Sequence, residues 1–377
     1  MKQTVLFFLL LLIFSAGNCQ TSKIFLFAGT YTDSKPDKGI YVFILNESTG
    51  ELTPVSTGDQ ITNPSFITLS PNGRFLYACT DTKTAVAGSI SAFAVDSVAG
   101  TIRFINKQSS AGANPVYAAV HKDNAFLTTG NYTEGNVAVL PINTDGSVGP
   151  VVQSIQFSDS SINKNRQEKP HIHSTIFSPG YDYVYLPDLG SDMIRVFAFN
   201  AGSAKPLTGI DGLTVHTIAG SGPRHMVFHP QKKWAYCIEE MSGMVAVYSY
   251  NKGRLREIQK LPSYQQNATE HSGADIHITP DGLFLYASNR VENTLSIFSI
   301  GGNGMLALLG HQATMGDVPR NFAIDPTGRF VLVANQGSNN IVIFKRDTKT
   351  GLLTETGHRV SVPSPSCLQM RAYKKDN

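Results

Sequence analysis

A repeat of about 50 residues constrains the fold of this 377-residue chain more than any other feature of its sequence. Each copy contains a short apolar run, a tight turn and a second apolar run rich in aromatic and β-branched residues. The turns are anchored at Pro71, Lys122, Pro179, Pro230, Pro280 and Pro326. Two such runs around a tight turn predict a β-hairpin, and self-similarity at this period is typical of propellers and solenoids.

Each copy continues with a third apolar run and a shorter fourth one, which predicts four-stranded propeller blades. A seventh unit is divided between the ends of the chain. The segment after Pro363 matches a first strand, while Lys23–Thr32 and Gly39–Leu45 supply later strands. We therefore expect an all-β fold: a seven-bladed β-propeller of four-stranded blades, its ring closed by N- and C-terminal strands that share one blade. Closure removes the open sheet edges of a linear array.

The first residues have the pattern of a secretory signal peptide. The apolar stretch Val5–Phe14 is followed by small and polar residues and is too short to span a membrane. The sequence predicts a signal peptide over residues 1–19, a propeller domain over residues 20–377, and export to the periplasm or the extracellular space. Lipid attachment at Cys19 is the alternative, which Asn18 disfavours.

Composition and motifs exclude several classes of function. Charged residues make up 16% of the chain, its formal net charge is +3, and it lacks a basic run, so nucleic acid is not an expected partner. Cys79, Cys237 and Cys367 fall on strands of different blades and are expected to be buried free thiols. No cofactor motif is present. We expect a monomer, without a cofactor or a membrane span, that binds a small molecule.

Alignment on the anchors places polar residues at equivalent positions of each blade. At the start of the innermost strand, six residues before the anchor, are Ser65, Val116, His173, Arg224, Ala274 and Arg320, with Ser366 in the divided unit. At the end of the second strand, nine and ten residues after the anchor, are Thr80-Asp81, Asn131-Tyr132, Asp188-Leu189, Glu239-Glu240, Asn289-Arg290 and Asn335-Gln336. Because innermost strands surround the axial channel of a propeller, both sets are expected at one mouth of it.

The set is asymmetric, which favours a binding pocket over a repeated structural ring. Bulky charged residues fall in some blades and small residues in the others. A buried guanidinium such as Arg224 or Arg290 requires an acidic partner or an anionic ligand. His171 and His173 share a strand face and could form a metal pair, but the further ligands are not evident. The polar insertion at residues 158–169 is expected to be a lid or an entrance loop.

Five segments resemble one known family: PHIHS, LPDLGSD, GPRHMVFHP, DGLFLYASNR and PRNFAIDPTGRFVLVANQ. They resemble the seven-bladed lactonase family typified by the propeller-type 6-phosphogluconolactonases, from about Lys23 to the C-terminus. That family is similar to fungal carboxy-muconate lactonising enzymes, which implies a site made of a His, two Arg and a Glu. On matching motifs these roles fall on His171 or His173, Arg224, Glu240 and Arg290.

The resemblance implies a carboxylic ester hydrolase that opens a sugar-acid lactone to its hydroxy acid. Glu240 or His173 would activate water, and Arg224 and Arg290 would hold the lactone oxygen and any carboxylate or phosphate. Further substrate-binding candidates are Asp188, Glu239, Arg320, Tyr132, Asn289 and Gln336. The Glu239-Glu240 pair leaves open which carboxylate acts, and the exported leader leaves open which lactone is the substrate.

Two other functions are compatible with the sequence. One is a non-catalytic propeller that binds carbohydrate or protein at the cell envelope. The other is an isomerase that forms or opens a muconate-type lactone. A quinone-dependent dehydrogenase is disfavoured because the chain has a single tryptophan, Trp234, whereas such propellers repeat tryptophans from blade to blade.

Overall fold

A computed structural model describes residues 22–33, 36–265 and 270–374 of the chain. Within these ranges the protein is all-β and forms a seven-bladed propeller, as the repeat predicts. No helix of this part of the chain is long and apolar enough to cross a membrane. The signal peptide predicted over residues 1–19, and Cys19 with it, lie outside the described residues.

Each complete blade is an antiparallel sheet whose strands follow one another from the axis outward. Blade 1 consists of Phe66–Leu69, Phe75–Thr80, Ser89–Val95 and Ile102–Ser109. Blade 2 consists of Pro115–Val120, Phe126–Asn131, Asn136–Pro141 and Gln153–Gln156. Blade 3 consists of Ile176–Phe177, Tyr183–Asp188, Met193–Phe199, and the two outer pieces Leu207–Gly209 and Val215–His216.

The remaining complete blades are more regular. Blade 4 consists of Pro223–Phe228, Trp234–Glu239, Met244–Asn251 and Arg254–Pro262. Blade 5 consists of Gly273–Ile278, Phe284–Asn289, Thr294–Ile300 and Leu306–Ala313. Blade 6 consists of Pro319–Ile324, Phe330–Asn335, Asn340–Arg346 and Leu353–Ser361.

Blade 7 joins the two ends of the chain, which confirms the predicted ring closure. Its strands, from the axis outward, are Pro365–Lys374, Ser22–Thr30, Ile40–Leu45 and Leu52–Gly58. The first two are antiparallel and run in register from Ser22 opposite Lys374 to Gly29 opposite Cys367. A short ribbon pairs Pro36–Asp37 with Ile61–Thr62 beside this blade.

Neighbouring blades are joined by a repeated contact between a turn glycine and an aromatic ring. In blade 5, Gly304 has a φ of +85°, and an added Cβ would lie 2.5 Å from the ring of Trp234 in blade 4. The phenol of Tyr236, two residues further along that strand, donates a hydrogen bond to the Gly304 carbonyl at 2.9 Å. The same arrangement joins Gly146 to Phe75 and Tyr77, Gly253 to Tyr183 and Tyr185, and Gly351 to Phe284 and Tyr286.

A single carboxylate joins the innermost strands around the axis. Asp275 of blade 5 accepts hydrogen bonds from His225 of blade 4 at 2.8 Å and from the side-chain amide of Asn321 of blade 6. The side-chain oxygen Oδ1 of Asn321 in turn accepts a hydrogen bond from the backbone N–H of Leu368 in blade 7 at 2.6 Å. Burial opposes ionisation of Asp275, but His277 and His225 hold its pKa well below its usual range. Four blades are therefore bonded in sequence at the axis.

The three cysteines within the described ranges are buried and free, as predicted. Each lies on a strand of a different blade: Cys79 in blade 1, Cys237 in blade 4 and Cys367 in blade 7. Burial raises the pKa of the Cys367 thiol to about 12, which makes it a poor nucleophile at neutral pH.

Candidate functional site

A β-bulge at the start of the innermost strand interrupts the regular alternation of side chains. The register shifts around Val116 in blade 2, Arg224 in blade 4, Arg320 in blade 6 and Ser366 in blade 7. Bulges of this kind redirect a side chain out of its strand. Val116, His173 and Arg320, three members of the predicted innermost set, line one pocket at this end of the propeller.

The two positions at the end of the second strand have different surroundings in every blade. The first position points into its own blade, where its side chain bonds neighbouring strands or loops. We call it the inner-blade column: Thr30, Thr80, Asn131, Asp188, Glu239, Asn289 and Asn335. At the second position the backbone N–H donates to the loop before the innermost strand, at 2.7–3.1 Å in all seven blades. We call it the axial column: Tyr31, Asp81, Tyr132, Leu189, Glu240, Arg290 and Gln336.

The pocket is a cavity of about 180 Å³ at the mouth of the axial channel. Its lining residues are Lys83, Asn114, Val116, Tyr132, Arg166, His173, Glu240, Arg290 and Arg320. This lining has four cationic side chains and one carboxylate. The pocket therefore has an excess of positive charge, and its geometry suits a small anionic ligand.

Glu240 is the centre of the charged cluster. Its Oε1 lies 2.5 Å from Arg166 Nη2, and its Oε2 lies 2.9 Å from both Arg224 Nε and Arg290 Nη2. Burial opposes ionisation, but Arg290, Arg224 and Arg166 hold the pKa of Glu240 well below its usual range. Glu240 is therefore a persistent anion and a weak base.

Arg224 lies beneath Glu240 and is not among the residues that line the pocket. Its side chain is 1% exposed, and it also donates a hydrogen bond to the backbone carbonyl of Ala274. Burial, Arg290 and Arg320 lower its pKa to about 9, which still leaves the guanidinium protonated at neutral pH. Arg224 therefore contacts Glu240 without lining the cavity, whereas Arg290 and Arg320 line it.

His173 is the one imidazole among the lining residues. Its Nε2 lies 4.0 Å from Glu240 Oε2, and its buried Nδ1 has no hydrogen-bond partner. Burial, together with Arg224, His225 and Arg320, lowers its pKa well below the usual value of a histidine. His173 is therefore a neutral imidazole with an unoccupied nitrogen.

His171, the other predicted histidine, lies behind the pocket wall. Its ring stacks on Tyr132 at 4.3 Å, its Nδ1 is 2.8 Å from the Tyr132 carbonyl, and its Nε2 contacts Glu168. Both ring nitrogens are thus occupied. No group of three His, Cys, Asp or Glu side chains within the described ranges could hold a metal ion.

Three predicted substrate-binding residues belong to the inner-blade column and do not line the pocket. Asp188 accepts bonds from the backbone N–H groups of the turn that follows it and pairs with Arg195. Glu239 pairs with Lys260 at 2.7 Å, and Asn289 bonds Ser263. Of the two acids in the Glu239-Glu240 pair, Glu240 is the one in the pocket.

The other substrate-binding candidates lie at or near the mouth. Tyr132 and Arg320 line the cavity. Gln336, in the axial column, donates to the Ser364 hydroxyl at 3.3 Å and is not among the lining residues.

Arg166 is a pocket residue that the sequence analysis missed. It belongs to the insertion at residues 158–169, which therefore forms part of the pocket wall. The insertion is fixed to blade 3: Ser161 donates to Asp192 at 2.6 Å, Arg195 pairs with Asp159, and the buried Gln167 donates to the Leu189 carbonyl. These contacts hold Arg166 over Glu240. The insertion breaks the repeat, so column alignment could not assign Arg166 a place.

Comparison with known proteins identifies the family of this chain. The model of the family described as lactonase, 7-bladed beta-propeller, matches residues 25–370. A 6-phosphogluconolactonase of Formosa agariphila is 43% identical and is aligned over 92% of this chain and 99% of its own length. A 6-phosphogluconolactonase of Bacillus subtilis is 35% identical over 91% of this chain and 97% of its own.

A solved structure extends the comparison. The periplasmic gluconolactonase of Pseudomonas aeruginosa superposes with a TM-score of 0.88 at 33% identity, covering 93% of this chain and 99% of its own. The family match covers most of the chain and agrees with the observed ring of blades. This chain therefore belongs to the seven-bladed β-propeller lactonase family.

Proposed function

We propose that this protein is an exported, monomeric lactonase that hydrolyses a sugar-acid lactone to the open hydroxy acid. The main observation behind this proposal is the pair formed by neutral His173 and ionised Glu240 in a small cavity lined by four cations. Three relatives named as lactonases, one of them periplasmic, support the activity and the compartment. The leader over residues 1–19 is the sequence feature that supports export.

His173 serves as the general base in this proposal. It is neutral and lines the cavity, whereas Glu240 is held as an anion by three arginines. When His173 takes a proton from water, the Glu240 carboxylate 4.0 Å away stabilises the imidazolium. The water oxygen then adds to the lactone carbonyl carbon.

The arginines that face the cavity stabilise the oxyanion. Addition of water places a negative charge on the former carbonyl oxygen, and preorganised cations lower the barrier to this step. Arg290 and Arg320 are suited to this role because they line the cavity. Arg166 and Lys83 add positive charge at the same cavity, which favours a lactone with a phosphate or carboxylate group.

A pH-stat assay of the purified protein tests this function. We expect glucono-δ-lactone and its 6-phosphate to be opened, with a lower KM for the phosphorylated lactone because of the cationic lining. Arg166→Ala should raise the KM of the phosphorylated lactone more than that of the neutral one. Lys164→Ala, which removes an exposed charge from the same insertion, is the matched control.

The same assay separates the alternatives. A protein that opens neither lactone but binds an oligosaccharide would favour the non-catalytic propeller. A protein that interconverts a muconate and its lactone without net hydrolysis would favour the isomerase. Equal KM changes in the Arg166 and Lys164 variants would contradict the role of Arg166.

A further inference from the structure

Tyr31 belongs to the axial column and occupies its position in blade 7. Its equivalence to the other members is visible only in the folded protein. Its backbone N–H donates to the Ser364 carbonyl at 3.1 Å, as the N–H of Glu240 does to Gly222 and that of Arg290 to Ser272. Tyr31 is therefore the structural equivalent of two residues that line the pocket. It is not itself a lining residue, but it contacts two of them, Arg320 and Lys83. The sequence gives no proline-anchored turn from which to count to it, because the first two strands of blade 7 come from opposite ends of the chain.

The Tyr31 phenol lies between two cations that line the pocket. Arg320 Nη2 is 3.5 Å from the phenol oxygen, and its guanidinium carbon is 5.6 Å from the ring centroid. The ammonium of Lys83 lies over the same ring, 4.5 Å from the centroid. Both side chains stabilise a negative charge on the phenol oxygen more than they stabilise the neutral phenol.

The ionisation of Tyr31 reflects this environment. Burial alone would raise its pKa, but Arg320 and Lys83, together with Ser65 and Arg224, lower the pKa below that of an ordinary tyrosine. Tyr132, the tyrosine at the equivalent position of blade 2, differs because burial raises its pKa. Of these two phenols, Tyr31 is thus the stronger acid.

Lactone hydrolysis requires such an acid. When the ring C–O bond breaks, the ring oxygen leaves as an alkoxide, which is a poor leaving group unless it is protonated. Glu240 is ionised and has no proton to give, and guanidinium groups hold their protons too tightly. His173 is the proposed base: it takes a proton from the attacking water and is therefore not assigned as the acid.

We propose that the Tyr31 hydroxyl donates its proton to the ring oxygen of the lactone as the C–O bond breaks. This step rests on the proposed lactonase function. The carboxylic acid that forms returns a proton to the phenolate, and His173 releases to solvent the proton it took from water. Each turnover then consumes one lactone and one water and yields one hydroxy carboxylate and one proton.

The substitution Tyr31→Phe tests this proton transfer when two lactones with different leaving groups are compared. With glucono-δ-lactone, Tyr31→Phe should lower kcat about a hundredfold and change KM little, because the substitution removes a proton donor. With dihydrocoumarin, whose phenolic oxygen has a pKa of about 10 and leaves without a proton, the loss should be a few-fold. Tyr132→Phe is the matched control and should affect both lactones alike.

A second measurement does not depend on dihydrocoumarin. Tyrosinate absorbance should reveal one tyrosine that ionises below the ordinary range in the wild type and is missing in Tyr31→Phe. The alkaline limb of kcat for glucono-δ-lactone should disappear with it, since the protonated phenol is the active form. Unchanged kcat in a folded Tyr31→Phe, or equal losses on both lactones, would overturn the proposal. A wild type that opens no lactone would instead overturn the lactonase function itself.

Discussion

Glu240 and its three arginine partners illustrate how burial and charge set the roles of individual residues. A carboxylate alone is a natural candidate for a base, but contacts of 2.5–2.9 Å with three guanidinium groups keep Glu240 ionised. In the proposed mechanism neutral His173 is therefore the base, while Glu240 fixes the arginines and stabilises the protonated imidazole. The sequence places both residues at one mouth, but only their surroundings in the folded protein distinguish the two proposed roles.

The pH dependence of catalysis should report the lowered pKa of His173. A base must be unprotonated to act, so activity is lost as pH falls through the pKa of the base. Because burial and nearby cations depress that pKa, kcat/KM should stay level as pH falls through 6.5 and decline only in a more acidic range. His173→Asn should abolish most of the activity.

The control for this profile is a histidine with the opposite shift. Burial opposes protonation of His277, but Asp275 raises its pKa above 6.5. His277→Gln should therefore leave the acidic limb of the profile in place. An acidic limb that lies above 6.5 and vanishes in His277→Gln would contradict the assignment of His173.

The Arg224–Glu240 pair should show strong energetic coupling. Glu240→Gln leaves the fully buried Arg224 without its counter-charge, and loss of one partner of a buried pair costs about 3–5 kcal/mol. Arg224→Met should cost less because Arg166 and Arg290 still contact Glu240. In urea unfolding, the double variant should lose less free energy of unfolding than the two single variants together. We expect this difference to be at least about 1 kcal/mol. Additivity within about 0.5 kcal/mol would show that the pair is not coupled.

At the level of strands and turns, side-chain alternation decides which residues reach the pocket. The two positions at the end of each second strand are adjacent in sequence, so their side chains point in different directions. The first points into its own blade, and the second reaches the pocket in blades 2, 4 and 5. Sequence alignment identified both positions but could not tell which was which. It therefore grouped Asp188, Glu239 and Asn289 with Glu240 and Arg290, although the first three bond within their own blades.

The residues at or beside the pocket that are absent from the sequence analysis lie outside the segments on which the blades were aligned. Arg166 belongs to the insertion, Lys83 follows the second strand of blade 1, and Tyr31 belongs to the blade shared by the two ends of the chain. The complete blades were predictable because a proline-containing turn and an apolar pattern recur in them. Irregular segments have no such pattern, and their positions depend on contacts between distant parts of the chain.

The glycine–aromatic contacts between blades should contribute measurably to stability. Gly304→Ala forces an alanine into a φ of +85° and drives its Cβ into the Trp234 ring. Gly357→Ala is the matched control because its φ is +80° and nothing lies within 4 Å. Both variants carry the backbone strain, so the excess loss in Gly304→Ala, about 1–3 kcal/mol, measures the contact between blades.

Urea unfolding monitored by fluorescence provides this measurement, since Trp234 is the single tryptophan of the chain. A changed native emission in Gly304→Ala alone would accompany the expected loss of stability. Equal destabilisation of the two variants would show that the Trp234 ring can move aside without lowering the free energy of unfolding.

At the scale of the whole molecule, the ring has no free blade edge at the junction of the two ends of the chain. The strand Pro365–Lys374 is the innermost strand of blade 7 and also contacts its neighbours. Ser366 donates to the Ser65 carbonyl at 2.8 Å, and Tyr373 donates to the Gly73 carbonyl at 2.8 Å, both in or next to blade 1. On the other side, the Leu368 N–H bonds Asn321 of blade 6. One strand thus joins three blades.

Removal of residues 363–377 should therefore unfold the protein and not merely loosen one blade. The deletion exposes an edge of Ser22–Thr30 and leaves the side-chain oxygen of Asn321, and with it the Asp275 network, without a partner in blade 7. Calorimetry should show no cooperative transition at the temperature of the full-length chain. A synthetic peptide of residues 363–377, added in excess, should restore the transition in proportion to its concentration, because it binds only the folded ring. A deleted protein that melts cooperatively at the full-length temperature without the peptide would show that six blades and three strands are stable alone.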